Sequence, residues 1–146
     1  MTESERQEMD SIWTSDHIIV PKDHAPWTRV FETITTLSFF SSITENIMLG
    51  TSIILLPLRN PLVLAKQIAT LNALSKGRTI IGIGIGWDNK EFNMVGKNFT
   101  SRTKIVKDQV EQMRKFWSGG YVKEGFVSEP LPTTRNEPQI IIGGQS

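Results

Sequence analysis

Two Asp-His pairs near the start of the sequence have the side chains needed for acid–base chemistry. Asp16-His17 and Asp23-His24 each place a carboxylate beside an imidazole, and an imidazole with an ordinary pKa of about 6.5 exchanges a proton near neutral pH. For Asp16-His17, loop capping is the alternative to catalysis or cofactor contact. The two pairs together suggest a metal-dependent hydrolase, but no metal-binding helix spacing or third ligand accompanies them. We therefore expect no metal and take Asp16 and His17 as candidate catalytic residues.

Glycines form the second group of candidates. The run Gly82-Ile83-Gly84-Ile85-Gly86-Trp87 departs from the dinucleotide-binding fingerprint, because Trp87 stands where the third glycine belongs. Its glycines alternate with isoleucines at the period of a strand, so one face of that strand carries no side chains. Such a face admits a flat ligand, or it serves tight packing alone. Later, Gly143-Gly144 follows a strand and either points N–H groups at a phosphate or forms a plain turn.

The composition excludes several classes of partner. The 146 residues include 16 basic and 15 acidic side chains, and a formal net charge of +1 does not attract nucleic acid or an anionic membrane. The amino-terminal residues do not form a secretory signal, and no apolar stretch approaches the ~20 residues that span a bilayer. The absence of cysteine excludes thiolate metal sites and fits a reducing compartment. We expect a cytoplasmic protein that acts on a small molecule.

Strand and helix patterns alternate along the chain. The predicted strands are 10–15, 47–56, 79–85 and 139–142, and the predicted helices are 26–43, 61–74 and 100–117. Residues 118–138 lack periodicity and predict a long excursion. Strands that are apolar on both faces and alternate with helices indicate an α/β fold with a parallel sheet wrapped by helices.

This architecture predicts where the candidate residues meet. In parallel α/β folds, ligands bind at the carboxyl ends of the strands. The strand-end segments are 15–17, 55–60, 85–88 and 143–146. We expect all four to lie on one rim, with the Asp-His pair and both groups of glycines beside one another.

Five segments of the sequence resemble the luciferase-like monooxygenase family. They are WTSDH at 13–17, the block from LGTSIILLPLRNP to LSKGR at 49–78, IIGIGIGW at 80–87, FWSGG at 116–120 and PQIIIGGQS at 138–146. The resemblance implies a TIM-type (β/α)₈ barrel that passes hydride through a ring cofactor at its strand ends. The pattern is most similar to the branch of deazaflavin-dependent oxidoreductases, which implies coenzyme F420, with FMN as the alternative.

The resemblance also implies roles for individual residues. The pair Asp16 and His17 matches one that lies near the reactive ring, and His17, oriented by Asp16, would assist proton transfer to or from the substrate. Ser52-Ile53 matches a non-proline cis peptide that forms a bulge behind the ring. The matching ring-lining and phosphate-loop positions are Gly84, Gly86, Trp87, Gly143 and Gly144.

The length implies an incomplete barrel. A barrel of this kind needs ~250 residues, so residues 1–146 form one partial domain, with strands two to five but without the first strand and the carboxyl-terminal half. Half a barrel presents open strand edges and an apolar rim. We expect self-association or a second chain to complete it. The alternative is a truncated, non-catalytic remnant or subunit.

Overall fold

Helices and strands alternate in the computed structural model, which describes residues 9–23, 28–133 and 138–143. The strands are β1 (Ser11–Thr14), β2 (Met48–Leu55), β3 (Thr79–Gly84) and β4 (Gln139–Ile142). The helices are α1 (Thr33–Ile43), α2 (Pro61–Leu74), α3 (Asn89–Met94) and α4 (Arg102–Trp117). Short 3₁₀ turns cover Leu56–Leu58 and Gly120–Glu124.

The four strands form one parallel sheet in the order β1-β2-β3-β4. Sequential order in a parallel sheet requires a crossover after each strand, and the helices provide these crossovers. The β2–β3 register shifts between Thr51 and Ile54, and the peptide bond Ser52-Ile53 inside this bulge is cis, as the resemblance implied. The predicted parallel α/β architecture is confirmed.

The main core lies between the sheet and the helices. It joins side chains of β2 and β3, such as Ile54 and Ile83, to those of α2 and α4, such as Ile68 and Met113. Each of these four is fully buried, and full burial of such a side chain contributes about 1.5–3 kcal/mol. The indole Nε1 of Trp117 donates to a carbonyl of α2 at 3.0 Å, so the one polar group that this side chain buries is satisfied.

The amino ends of the strands are closed by structural hydrogen bonds. Arg78, just before β3, donates to the carbonyls of Ile47 at 2.8 Å, Thr44 at 3.0 Å and Ser41 at 3.3 Å. It thereby ties the end of α1 and the start of β2 to β3. The opposite end of the sheet, where the carboxyl ends of the strands lie, is the one left open.

Two boundaries differ from the sequence predictions. The helix predicted at 26–43 begins at Thr33, because Glu32 adopts an extended conformation and its side chain caps the N–H of Thr35 at 2.7 Å. β2 was expected to be buried on both faces, but Ser52 is exposed and Ile53 is half-buried. Both residues lie in the bulge, where the regular pairing with β3 is interrupted.

Helix α3 is absent from the sequence predictions. It has six residues, fewer than two turns, so no apolar period can mark it. Its start is set by Asp88, whose side chain accepts the N–H of Lys90 at 2.8 Å. Among the described residues, no helix is long and apolar enough to cross a membrane, and no cluster of three or more metal-ligating side chains occurs. His24 of the second Asp-His pair lies outside the described residues.

Candidate functional site

The carboxyl ends of the four strands border one open cleft of about 640 Å³. Its lining residues are Ser15, Asp16, Ser52, Ile53, Leu55, Ile85, Gly86, Trp87, Arg102 and Gly143. Small-molecule sites have volumes of several hundred Å³ and mostly apolar walls with a few polar groups. The rim predicted from the sequence is therefore present as a cleft of suitable size.

Asp16 is buried in the wall of this cleft and is held by Arg59. Its side chain is 2% exposed. The guanidinium of Arg59 donates from Nη2 to Oδ1 at 2.6 Å and from Nε to Oδ2 at 3.1 Å, and the backbone N–H of Leu55 donates to Oδ2 at 3.1 Å. A bidentate pair of this kind fixes both partners. Asp16 thus ties the segment after β1 to the end of β2.

A second carboxylate shares Arg59. The Nη2 atom lies 2.9 Å from Oε1 of Glu32. Burial lowers the pKa of Arg59, but the hydrogen bond and charge of Asp16, followed by those of Glu32, outweigh burial and raise the pKa above its ordinary value. For Glu32 the effect of burial has the opposite sign and raises the pKa. The hydrogen bonds from Thr35, followed by the charge of Arg59, outweigh burial and lower the pKa of Glu32 below its ordinary value of 4.5. The three charges form one clamp.

His17 is held by a different carboxylate. Its Nδ1 lies 3.0 Å from Oε2 of Glu91, whose side chain is 2% exposed. The ring of His17 is 20% exposed and meets the ring of Trp87 edge-on, with the centroids 6.2 Å apart. The prediction that Asp16 orients His17 is wrong, because Asp16 is engaged by Arg59 and Leu55 while Glu91 binds the imidazole.

The bulge of β2 forms the floor of the cleft. The side chain of Ile53 lies over Gly84, where an added Cβ would stand 2.0 Å from the isoleucine Cδ1. It also lies beside Gly143, whose added Cβ would stand 3.4 Å from Cγ2. The absence of a side chain at Gly84 therefore makes room for Ile53, and Gly84 lies beneath the cleft rather than in its lining.

The segment after β3 forms one wall. Gly86 has φ +79°, and an added Cβ would stand 2.7 Å from Cε2 of Phe92, so glycine is required there on two grounds. Trp87 follows, 57% exposed at the rim. Arg102, in the first turn of α4, donates from Nε to the carbonyl of Gly86 at 3.2 Å and places its cation in the lining.

The structure brings most of the predicted site residues together. The predicted positions in the lining are Asp16, Ser52, Ile53, Gly86, Trp87 and Gly143. His17 lies beside the wall, in ring contact with Trp87. The N–H of Gly143 donates to the carbonyl of Ile83 at 2.8 Å. Gly144 lies outside the described residues.

Three residues of the candidate site were missed by the sequence predictions. Glu91 lies on the helix that the sequence patterns did not reveal. Arg59 and Arg102 are single basic residues without periodic neighbours, and their partners Asp16 and Gly86 lie 43 and 16 positions away. The only available signal was position, since Arg59 stands in a predicted strand-end segment.

Parallel strands whose carboxyl ends border a cleft place this chain among the α/β proteins, a class in which ligands bind at that edge of the sheet. The chain matches the model of the luciferase-like monooxygenase family over residues 2–146, and it belongs to that family.

Its relatives include F420-dependent enzymes. The chain is 30% identical over 121 residues to the F420-dependent glucose-6-phosphate dehydrogenase of Amycolatopsis mediterranei, covering 78% of the chain and 35% of that protein. It is 32% identical over 136 residues to an uncharacterised protein of Mycobacterium tuberculosis, covering 88% of the chain and 48% of that protein. The chain thus spans less than half the length of these relatives.

Solved structures share the fold. The monooxygenase RslO1 of Streptomyces bottropensis superposes with a TM-score of 0.79 at 21% identity, covering 94% of this chain and 43% of that chain. An F420-dependent secondary alcohol dehydrogenase with an F420-acetone adduct gives a TM-score of 0.74 at 21% identity, covering 97% and 45%. The luciferase-like barrel fold is therefore confirmed, with the chain corresponding to part of each barrel.

Proposed function

We propose that this chain forms the ring-binding part of an oxidoreductase that uses the deazaflavin coenzyme F420, with FMN as the alternative cofactor. The observation that carries the proposal is the strand-end cleft itself, with an apolar floor at Ile53, an aromatic rim at Trp87 and the imidazole of His17 in contact with that rim. Family membership and the F420-dependent relatives support the cofactor class. When bound, such a ring donates or accepts a hydride.

The cleft fits a flat tricyclic ring. Ile53 offers an aliphatic surface to the cleft, and Gly86 leaves the wall after β3 without a side chain. Ser52 is exposed beside Ile53, so its hydroxyl and the backbone of the bulge are available for hydrogen bonds to ring heteroatoms. Trp87 at the rim limits the access of water to a ring seated there.

The anionic part of the cofactor would lie toward Arg102. Arg59 is already paired with both Asp16 and Glu32, so it is not free to bind an anion. Among the described residues that line the cleft, Arg102 is the one with a cationic side chain. Gly143 lies in the same lining, with its N–H already donated to the carbonyl of Ile83. A guanidinium is a suitable partner for a phosphate.

His17 would move the proton that accompanies hydride transfer. In an alcohol oxidation, the hydride leaves carbon for the ring, and the hydroxyl proton passes to the imidazole, so that a carbonyl product forms. Positioned acid–base catalysis of this kind contributes about 10²–10⁴-fold. Asp16, which the sequence placed with His17, acts here through the wall that it stabilises.

A closed barrel has eight strands, and the described residues of this chain form four. The proposal therefore includes further strands beside β4. Ile141 is 43% exposed and Ile142 is 68% exposed along that strand. Self-association or a second polypeptide would cover them. Native mass spectrometry in the presence of F420 or FMN should give a mass above that of one chain with bound cofactor. A cofactor-bound single chain would contradict this part of the proposal.

Titration of the purified protein with F420 and with FMN, followed by ligand fluorescence, tests the central claim. Saturable binding of at least one is expected, and F420 should bind more tightly. If neither binds saturably, the oxidoreductase proposal fails, and the second candidate, a non-catalytic subunit, takes its place. That candidate draws on the open edge at β4 and the share of the barrel that the chain represents.

Arg102→Gln separates phosphate binding from structural support. Loss of a charged hydrogen bond costs about 1.5–3 kcal/mol, so FMN affinity should fall about 10-fold or more. Riboflavin lacks the phosphate, and its affinity should stay unchanged. Lys107→Gln removes a cation from the exposed side of the same helix and should affect neither ligand. Equal losses for FMN and riboflavin would mean that Arg102 acts only through its structural contacts with Gly86 and Phe99.

A further inference from the structure

Glu91 makes three contacts with the segment after β1. Its Oε2 faces Nδ1 of His17 at 3.0 Å, and its Oε1 accepts the backbone N–H groups of Ile18 at 2.7 Å and Ile19 at 3.2 Å. The carboxylate is buried, with 2% of the side chain exposed. Each of these three contacts is therefore directed at residues 17–19.

The position of Glu91 is fixed from behind. The next residue, Phe92, is fully buried against Leu55 and Leu58 at the end of β2. Its ring meets Phe99 edge-on, with the centroids 5.2 Å apart. These contacts anchor α3 to the sheet, so the carboxylate cannot move with the exposed loop that it holds.

These contacts determine which nitrogen of the imidazole carries the proton. An ionised carboxylate only accepts hydrogen bonds, so Nδ1 of a neutral His17 must donate to Oε2. The other nitrogen, Nε2, is then left with its lone pair. We propose that Glu91 is the positioning residue of this site, which holds His17 as the Nδ1-protonated tautomer and leaves Nε2 to take the proton of a substrate.

The same arrangement supports the next step of the proposed function, on which this inference rests. When Nε2 accepts a proton, the ring becomes cationic, and the buried carboxylate of Glu91 lies against it. A carboxylate behind a histidine stabilises the imidazolium without itself taking the proton. Glu91 thus has the role that the sequence suggested for Asp16.

The tautomer can be measured directly without any cofactor. The chain contains two histidines, so ¹⁵N-histidine labelling with a His24→Gln variant assigns the His17 signals in a long-range ¹H–¹⁵N spectrum. At a pH where the ring is neutral, Nδ1 should give the signal of a protonated nitrogen and Nε2 that of a bare one. The reverse assignment in the wild-type protein would overturn the proposal.

Glu91→Gln should invert the tautomer. The N–H groups of Ile18 and Ile19 require an acceptor, so the amide oxygen faces them and the amide NH₂ faces His17. An NH₂ group donates to Nδ1, which places the ring proton on Nε2. An unchanged tautomer in Glu91→Gln would refute the positioning role. Asp88→Asn changes the carboxylate that caps the same helix, which accepts the backbone N–H of Lys90 and not His17, and it should leave the His17 signals in place.

Turnover gives a second readout. In the active assembly, Glu91→Gln should lower kcat by roughly 10²-fold with little change in KM, whereas Asp88→Asn should stay within about twofold of the wild type. Equal effects of the two variants on kcat would reduce Glu91 to a structural residue. If the tautomer inverts in Glu91→Gln but neither F420 nor FMN binds, the role of Glu91 in positioning the His17 imidazole stands and the oxidoreductase proposal fails.

Discussion

Removing the side chain of Arg59 should destabilise the protein far more than removing its exposed partner, Glu32. In Arg59→Met, Asp16 keeps one hydrogen bond, from Leu55, and loses both guanidinium bonds while it stays buried. An unpaired buried charge costs about 3–5 kcal/mol, so the free energy of unfolding should fall by about that amount. The aliphatic part of methionine retains the packing of the arginine stem, which limits the effect to the charge.

Two further variants isolate the cause. Glu32→Gln removes the exposed partner of Arg59 and should cost less than about 1 kcal/mol. The double variant Asp16→Asn with Arg59→Met removes the stranded charge, and asparagine can still accept the N–H of Leu55. It should therefore be more stable than Arg59→Met alone.

Urea unfolding followed by circular dichroism at neutral pH gives all three free energies. The decisive comparison is between Arg59→Met and the double variant. If the double variant is the less stable of the two, burial of the Asp16 charge is not what makes Arg59 necessary. Equal losses in Arg59→Met and Glu32→Gln would also contradict the reasoning.

Three other predictions concern stability. The folded-state pKa of Glu32 is lowered, so its contribution is present above pH 4.5 and is lost as the pH falls through the folded value; acid titration of Glu32→Gln should show a smaller loss than the wild type. Arg78→Met should cost about 2–4 kcal/mol in urea unfolding, since four carbonyls and the hydroxyl of Thr44 lose a charged donor. Gly86→Ala should cost about 2–3 kcal/mol, because φ is +79° and the Cβ meets Phe92; Gly96→Ala, with φ +67° and nothing within 4 Å, should cost only about 1 kcal/mol.

The regular elements could be predicted because their signals are local. Asn60 and Pro61 mark the start of α2, and the side chain of Asn60 does accept the N–H groups of Leu62 and Val63. The alternating glycines and isoleucines of β3 identify a strand. Helix α1 was placed too early, because apolar residues at 30 and 31 continue its period while the cap at Glu32 is not a typical capping residue.

The sequence by itself determined the family, the order of the strands and helices, and the edge of the sheet at which the candidate residues lie. These follow from period, capping and strand-end position, which neighbouring residues encode. Only the tertiary structure decided which carboxylate contacts the imidazole of His17. Asp16 is adjacent in sequence but binds Arg59, whereas Glu91 is 74 positions away and reaches the imidazole through a helix too short to leave a pattern. Such pairings depend on how the crossovers fold back over the sheet, which no local spacing records.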